Sequence, residues 1–292
     1  MANVISLAKK YVPLLDEVYK KAALTSVLDS DPTLAKEGAN VNEIIIPKID
    51  MDGLADYDRN SGYTGGDVTL TWETKKFNFE RGRMFNVDAM DNQETAGLAF
   101  GKLAGEFLRT KVVPEVDAFR FATYASTKDA TLVSADLSTG EEVIKALRAA
   151  STKMDEDEVT AEGRILFITP TLKGLIDDLD TTKSKEVMKK FSQVTEVPQS
   201  RFYSAIEQLD GKSSGEEKGG FKKATGAKDL NFLIIELSAV IQFPKHVVPK
   251  IIAPEANQKS DGWLFGYRNY GIAETYENKV AGIYVHTKAA TE

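Results

Sequence analysis

The stretch FNVDAMDNQETAGLAFGKLAGEFLRTKVVPEVDAFRFATYAS, residues 85–126, decides the fold. It begins as a strand and continues from Asp91 as one very long helical pattern. Asp91 is placed to cap the first turn, and Glu94 follows three residues later, as in a capping box. A helix over residues 91–126 would be ~54 Å long at ~1.5 Å rise per residue. An average globular helix has only ~11 residues. Such a helix extends beyond one compact core.

An apolar stripe runs along the first half of this helix, formed by Ala96, Phe100, Leu103 and Phe107. Pro114 stands in the second half. Its ring removes one backbone donor and crowds the carbonyl oxygen four residues before it. The sequence therefore predicts a bend or an interruption at Pro114, with a helical arm on either side.

Two strand-like segments joined by a glycine-rich segment precede the helix. Residues 41–50 and 68–88 are rich in apolar and β-branched side chains, and residues 52–67 hold four glycines. The alternation of Val68, Leu70 and Trp72, and then of Phe77 and Phe79, indicates that one side of this ribbon is buried. Because a two-stranded ribbon is marginal alone, its apolar side needs a partner surface, either in its own body or on a neighbouring molecule.

The rest of the chain predicts an α+β or α/β lobe, with a C-terminal antiparallel sheet packed under the long helix. Predicted helices cover residues 13–28, 140–151 and 171–178. Predicted strands cover residues 164–168, 230–237, 247–252, 263–270, 272–276 and 280–286. The polar residues 180–228, with glycines near their end, are interpreted as a long surface loop region.

Composition excludes several classes of function. The 292-residue chain has no cysteine, so disulfides and thiolate metal sites are ruled out. The net charge of −7 argues against tight general binding to nucleic acid. The chain shows no run approaching the ~18 to 20 apolar residues that cross a bilayer. We therefore expect a folded protein without a membrane segment.

Motifs for catalysis and metal binding fail at the positions that matter. Gly211-Lys212-Ser213 resembles the end of a phosphate-binding loop, but Ile206 stands where the first glycine is required. Residues 56–60 begin like a calcium-binding loop, but Asp67 stands where a bidentate Glu is required. The two histidines are far apart and in no ligand spacing. The sequence therefore predicts neither an enzyme nor a bound cofactor or metal.

Three phrases resemble the major capsid proteins of tailed double-stranded DNA bacteriophages, which share the Hong Kong 97 coat fold with encapsulin shells. They are YVPLLDEVY at residues 11–19, RMFNVD at 83–88 and VVPEVDAF at 112–119. The resemblance implies an α+β coat fold with five regions in order along the chain. These regions are an N-terminal arm (1–40), an extended β-ribbon loop (41–90), the spine helix of a peripheral domain (91–136), an axial domain (137–245) and C-terminal strands completing both domains (246–292).

The resemblance also implies a function and partners. The expected function is self-assembly into hexamers and pentamers of an icosahedral shell, which encloses double-stranded DNA without sequence-specific binding. The chain has no room for a fused scaffolding segment, so a separate scaffolding protein and a portal are expected partners. The expected location is the virion, after assembly in the bacterial host cytoplasm and maturation of a procapsid. An encapsulin-type compartment is the alternative, and a soluble enzyme of unknown chemistry is a remote one.

We expect subunit contacts at Tyr57, Arg59 and Tyr63 near the ribbon tip and at Arg81 and Arg83 near its base, because aromatic residues and arginine are enriched at interface hot spots. Residues 50–90 carry eight acidic and five basic side chains, which favours a basic partner surface. Residues 53–70 contain no lysine. Isopeptide bonds between neighbouring subunits, as made from ribbon lysines in some relatives, are therefore not expected.

Overall fold

The computed structural model describes residues 23–30, 36–37, 42–90, 98–179, 181–258 and 260–289. Its α-helices are α1 (Leu98–Phe107), α2 (Val113–Ala125), α3 (Gly140–Glu156), α4 (Pro170–Asp177) and α5 (Thr182–Met188). Its strands are β1 (Lys36–Glu37), β2 (Glu43–Met51), β3 (Val68–Lys76), β4 (Phe79–Asp88), β5 (Thr131–Ser134), β6 (Arg164–Ile168), β7 (Gln193–Glu196), β8 (Ile206–Gln208), β9 (Phe221–Lys223), β10 (Leu230–Glu236), β11 (Val240–Ile252), β12 (Gly262–Thr275) and β13 (Ile283–Thr287).

The long helix is interrupted by one wide turn. The π-helical residues Leu108–Val112 join α1 to α2, and the N–H of Val113 donates to the carbonyl oxygen of Leu108. Pro114 lies in the first turn of α2, where it has no N–H to offer and where a wider turn relieves crowding of the preceding carbonyls. The predicted interruption is confirmed. The predicted start of the helix at residues 91–94 lies outside the described residues.

A three-stranded antiparallel sheet, in the order β11-β12-β4, packs under this helix. The ring of Phe107 in α1 lies 4.8 Å from that of Phe85 in β4 and 6.4 Å from that of Phe265 in β12. Val113 and Val116 of α2 are buried in the same cluster. The predicted sheet under the long helix is therefore confirmed.

The strand-like residues 68–88 form two strands that belong to different sheets. β3 ends at Lys76, and β4 leaves the ribbon to pair with β12, with Phe79 opposite Gly271. Between the two strands, the side-chain amide of Asn78 donates to the carbonyl oxygen of Ala273 and accepts from its N–H, at 2.7 and 3.1 Å. This amide substitutes for a backbone pair and turns the chain from one sheet into the other.

The lobe is built on a five-stranded mixed sheet in the order β5-β13-β10-β6-β7. All five residues of β6 are buried, because the sheet is covered on both faces. Leu166 and Ile168 pack toward α3 and α4, whereas Phe167 points to the other face, with its ring 5.0 Å from Phe121 of α2. At the start of α3, Thr139 and Glu142 form a capping box. The predicted α and β elements of the lobe are confirmed here.

Two predictions for this region are wrong. Residues 180–228 are not one loop, since they include α5, β7 and the β8–β9 hairpin and bury Val187, Val197 and Phe202. The last predicted strand does not join the sheet under the helix. It forms β13, which lies between β5 and β10 in the lobe.

A buried carboxylate holds a short segment of the arm against the body through hydrogen bonds. Asp117 of α2 accepts hydrogen bonds from the N–H of Leu24 (3.1 Å), the N–H and hydroxyl of Thr25 (3.1 and 2.6 Å) and the guanidinium of Arg201 (3.0 Å). Burial raises the pKa of Asp117 against the opposing effect of these donors. Residues 24–28 form a 3-10 turn, not the predicted α-helix, and residues 13–22 of that prediction lie outside the described residues.

Candidate assembly surfaces

The ribbon formed by β2 and β3 has one apolar and one polar face. Directly opposed residues of an antiparallel pair share a face. The apolar face is made of the opposed pairs Pro47 and Trp72, Ile49 and Leu70, and Met51 and Val68. The polar face carries Lys48, Asp50, Thr69 and Thr71.

The ribbon is held to the body at its base. Ile44 and Ile46 lie on the face opposite to Ile49 and pack on Ile241 and Ile272 in a buried cluster. From Pro47 onward β2 is mostly exposed. The ribbon therefore projects from the body and is attached to it at its base.

The apolar face of the ribbon is uncovered in a single chain. Val68 is 71%, Met51 65% and Leu70 52% exposed. The sequence predicts that this face is covered either by the body of the same chain or by a neighbouring molecule. Among the described residues, the body of the chain does not cover it. Large contiguous apolar patches on soluble proteins mark interaction sites, so this face is a candidate interaction surface.

The tip, residues 52–67, is ordered by its own contacts. Asp52 and Asp67 are joined through backbone and side-chain bonds of 3.1 and 2.8 Å. Asp58 and Gly62 pair across a tight turn in which Gly62 has a φ of +82°, a value that glycine adopts without strain. The rings of Tyr57 and Tyr63 meet edge to face at 4.8 Å, so two of the predicted contact residues are brought together, with Arg59 exposed in the same turn.

Arg81 and Arg83, also predicted as contact residues, both have partners within the chain. The guanidinium of Arg81 donates to Glu115 of α2 at 2.7 Å and to the carbonyl oxygens of Leu209 and Gly220 at 2.7 and 3.3 Å. Arg83 donates to the carbonyl oxygen of Glu217 at 3.0 Å. Both arginines therefore hold the loop between β8 and β9 against β4. Their contact with a neighbouring copy stays a prediction.

A cleft lies where β4, the π turn and the β8–β9 loop meet. Its volume is about 840 Å³. Its apolar lining comes from Phe79, Phe85, Leu103, Phe107, Val112, Val116, Phe221 and Tyr267. This cleft was not predicted from the sequence. The signal available was the alternation in β4, where Arg81, Arg83 and Phe85 share the face turned to the helix.

The loop that closes the cleft depends on glycine. Gly211 has a φ of +72°, and a Cβ there would lie 2.9 Å from Nη1 of Arg83. Gly219 also has a positive φ and lies against the same guanidinium. Any larger residue at either position would push the arginine out of place and open this side of the cleft.

Within the described residues, no group of three or more His, Asp or Glu side chains is arranged to hold a metal ion, and no helix is long and apolar enough to cross a bilayer. His286 is buried in β13, where its Nδ1 lies 3.1 Å from the side-chain amide of Asn231 and its ring stacks on Phe232. Burial lowers the pKa of His286 to about 4. His286 is therefore a neutral core residue.

Comparison with solved structures finds several that share the fold of this chain. It is similar to a structure from Mycobacterium phage Che8 (TM-score 0.58, 13% identity, 91% of this chain and 90% of that chain). It is also similar to the capsid of Myoviridae phage XM1 (0.56, 10%, 91% and 92%) and to a virus-like particle from Pyrococcus furiosus (0.54, 13%, 92% and 98%). No family model and no curated protein matches the sequence. At these identities the likeness establishes the fold, and the chain has the α+β Hong Kong 97-like fold of phage major capsid proteins.

Proposed function

We propose that the protein is the major capsid protein of a tailed bacteriophage, which assembles into hexamers and pentamers of an icosahedral shell. The observation that supports this most is the uncovered apolar face of the ribbon on a chain with a coat fold. A single subunit exposes this face to water, and a neighbouring subunit removes it from water.

The energetic argument is direct. Covering a half-exposed Leu, Met or Val side chain gains on the order of 1 kcal/mol, and the face presents several in a row on one rigid ribbon. A ribbon of two strands is marginally stable by itself, so docking also stabilises the ribbon. In a closed ring every subunit makes the same contact, so the free energy gained by burying this face is gained once per subunit. The role is structural, and the chain needs no catalytic residues or cofactor for it.

The proposal includes partners and a location. The shell encloses double-stranded DNA without reading its sequence, which agrees with a net charge of −7. A separate scaffolding protein directs closure, and a portal occupies one vertex. Assembly takes place in the cytoplasm of the bacterial host, and the mature protein is part of the virion.

A compartment shell of the encapsulin type is the second candidate. The likeness to the virus-like particle from Pyrococcus furiosus covers 98% of that chain, so the same architecture fits both uses. The contents distinguish the two candidates. A phage shell holds DNA, whereas a compartment holds cargo protein.

Electron microscopy and analytical ultracentrifugation of the purified protein test the proposal. We expect rings or shells, and a uniform population of 32.1 kDa monomers at micromolar concentration would refute it. Leu70→Asp on the apolar face should prevent assembly, whereas Leu132→Asp on β5, which is similarly exposed, should not. Regular closed shells from this polypeptide alone would contradict the separate scaffolding protein, and a co-purifying enzyme in place of DNA would favour the compartment.

A further inference from the structure

We propose that the cleft between β4, the π turn and the β8–β9 loop binds a single-chain amphipathic anion, such as a long-chain fatty acid. The acyl chain lies against the apolar wall of the cleft, and the anionic head group pairs with Arg83, Lys111 and Lys218, which also line it. This site goes beyond the proposed function and does not depend on it, because all of its residues belong to one subunit.

The cleft has the size and the lining of a small-molecule site. Its volume of about 840 Å³ falls within the ~300–1,000 Å³ of typical ligand pockets, which are mostly apolar with a few polar groups. Such pockets often lie where separate parts of a structure meet. This one lies between the sheet under the long helix and a loop of the lobe.

The aromatic rings of the wall favour a flexible chain over a flat ring system. The ring of Phe107 is inclined by 72° to that of Phe85 and by 76° to that of Tyr267. A flat ligand stacks on parallel ring faces, whereas these pairs present faces and edges nearly at right angles. An acyl chain adapts to such a wall, because the burial of apolar area does not depend on direction.

The π turn forms one side of the cleft. Thr110, Lys111 and Val112 of this turn are all part of the lining, and π turns inside α-helices are frequent at functional sites. The hydroxyl of Thr110 donates to the carbonyl oxygen of Glu106 at 2.7 Å. Lys111 is therefore the charged group that the turn offers to a ligand.

The carboxylates that line the cleft are already engaged. Glu115 accepts from the guanidinium of Arg81 at 2.7 Å. Glu106 accepts from the guanidinium of Arg109 at 2.8 Å. Asp210 accepts from hydrogen-bond donors of its own loop. These three groups therefore offer little to a cationic ligand.

Three cations of the lining are less engaged. Lys111 and Lys218 pair with no carboxylate among the described residues, and the guanidinium of Arg83 donates to the carbonyl oxygen of Glu217 at 3.0 Å. The unpaired charge of the cleft is therefore mainly positive. A carboxylate head group accepts strong, charge-assisted hydrogen bonds from such donors.

A bound chain would join two parts of the subunit. Phe85 of β4 and Phe221 at the end of the β8–β9 loop both line the cleft, so a ligand between them contacts the sheet and the loop at once. A ligand that binds only the folded state stabilises it. Binding should therefore raise the unfolding temperature and slow tryptic cleavage at Lys218.

Isothermal titration calorimetry with sodium dodecanoate, kept below the concentration at which it forms micelles, tests the site on the purified protein. We expect saturable binding of one dodecanoate per chain, weakened roughly tenfold for every two methylene groups removed from the ligand. Dodecyltrimethylammonium and neutral dodecyl maltoside should bind at least tenfold more weakly. Equal affinity for all three head groups would mean apolar partitioning only and would refute the site.

Two variants locate the binding. Lys111→Glu with Lys218→Glu should weaken dodecanoate binding at least tenfold without changing the unfolding temperature of the free protein. The matched control, Lys128→Glu with Lys145→Glu, makes the same change of net charge at exposed positions outside the lining and should bind as the wild type does. Leu103→Glu, which places a carboxylate in the apolar wall, should abolish binding.

Unchanged affinity in both cleft variants would overturn the inference. The result is independent of assembly, because binding is measured on the chain in whatever state it is purified. Shells that bind no dodecanoate would refute this site and leave the proposed function intact. Monomers that bind one dodecanoate in the cleft and never assemble would support the site and refute the proposed function.

Discussion

Replacement of Asp117 by alanine should destabilise the subunit by several kcal/mol. Asp117 is fully buried and accepts hydrogen bonds from Leu24, Thr25 and Arg201. Alanine leaves these donors without an acceptor and leaves a guanidinium without its counter-charge. Removing one partner of a buried ion pair costs ~3–5 kcal/mol.

Thermal unfolding followed by circular dichroism measures this loss. For a chain of this size ~1 kcal/mol corresponds to ~2 °C, so Asp117→Ala should lower the unfolding temperature by about 6–10 °C. The control is Asp177→Ala, which removes a side chain that is paired with Lys173 on the surface of α4. Exposed pairs contribute ~0.2–1 kcal/mol, so this control should shift the temperature by no more than about 2 °C.

Limited proteolysis supplies an independent check on the mechanism. Without the hydrogen bonds to Asp117, residues 23–30 should detach from the body. Chymotrypsin should then cleave after Leu24 or Leu28 faster than in the wild type. Leu28 is 1% exposed in the native chain. If Asp117→Ala unfolded at the same temperature as Asp177→Ala and resisted cleavage equally, the buried carboxylate would not hold the arm.

Three further outcomes are expected. First, because burial lowers the pKa of His286 from 6.5 to about 4, protonation of this residue opposes folding. Its contribution to stability is therefore complete above pH 6.5 and is lost as the pH falls through 4. His286→Asn should flatten the acid-induced fall in unfolding temperature in that window, and an equally steep fall in the variant would contradict this role. Second, Arg81→Ala should cost ~1–3 kcal/mol and speed tryptic cleavage of the β8–β9 loop at Lys212 or Lys218, and an unchanged cleavage rate would show that Arg81 does not hold this loop. Third, particles boiled in detergent should run as single chains, because the tip lacks lysine. Burial alone lowers the pKa of Lys75, but Glu73 raises it above its usual value and keeps the amine protonated, which makes it a poor nucleophile. A ladder of boiled multimers would contradict non-covalent assembly.

The sequence predicted elements whose burial follows a simple period. β6 is recognisable in the sequence because Ile165–Ile168 form an uninterrupted apolar run. The ribbon was recognised because its two strands lie on either side of a glycine-rich tip. The break at Pro114 followed from the chemistry of one residue, although the sequence did not indicate that the break would be a π turn. In each of these cases the information is local.

Features that depend on distant pairing were not predicted. The departure of β4 from the ribbon depends on its register with β12, far along the chain. The cleft depends on Arg81 meeting the loop carbonyls of Leu209 and Gly220. Residues 180–228 have the sequence pattern of a loop, because buried residues such as Val187 and Phe202 stand singly among polar neighbours. The alternation in β4 shows which residues share a face, but no periodic pattern in the sequence marks the distant partners of these contacts.

The fixing of the ribbon at one end has a mechanical consequence. Ile44 and Ile46 pack the base of the ribbon on the body, and Lys48 pairs with Glu277 of the body at 3.8 Å, whereas Met51, Val68 and Leu70 farther out are exposed. Such a cantilever bends more easily than it stretches, so its tip can follow a neighbour through a small change of angle while keeping the same contacts. In the proposed shell, rings of five and of six subunits would then use the same contact surfaces, because bending of the ribbon would accommodate the difference in angle between neighbouring subunits.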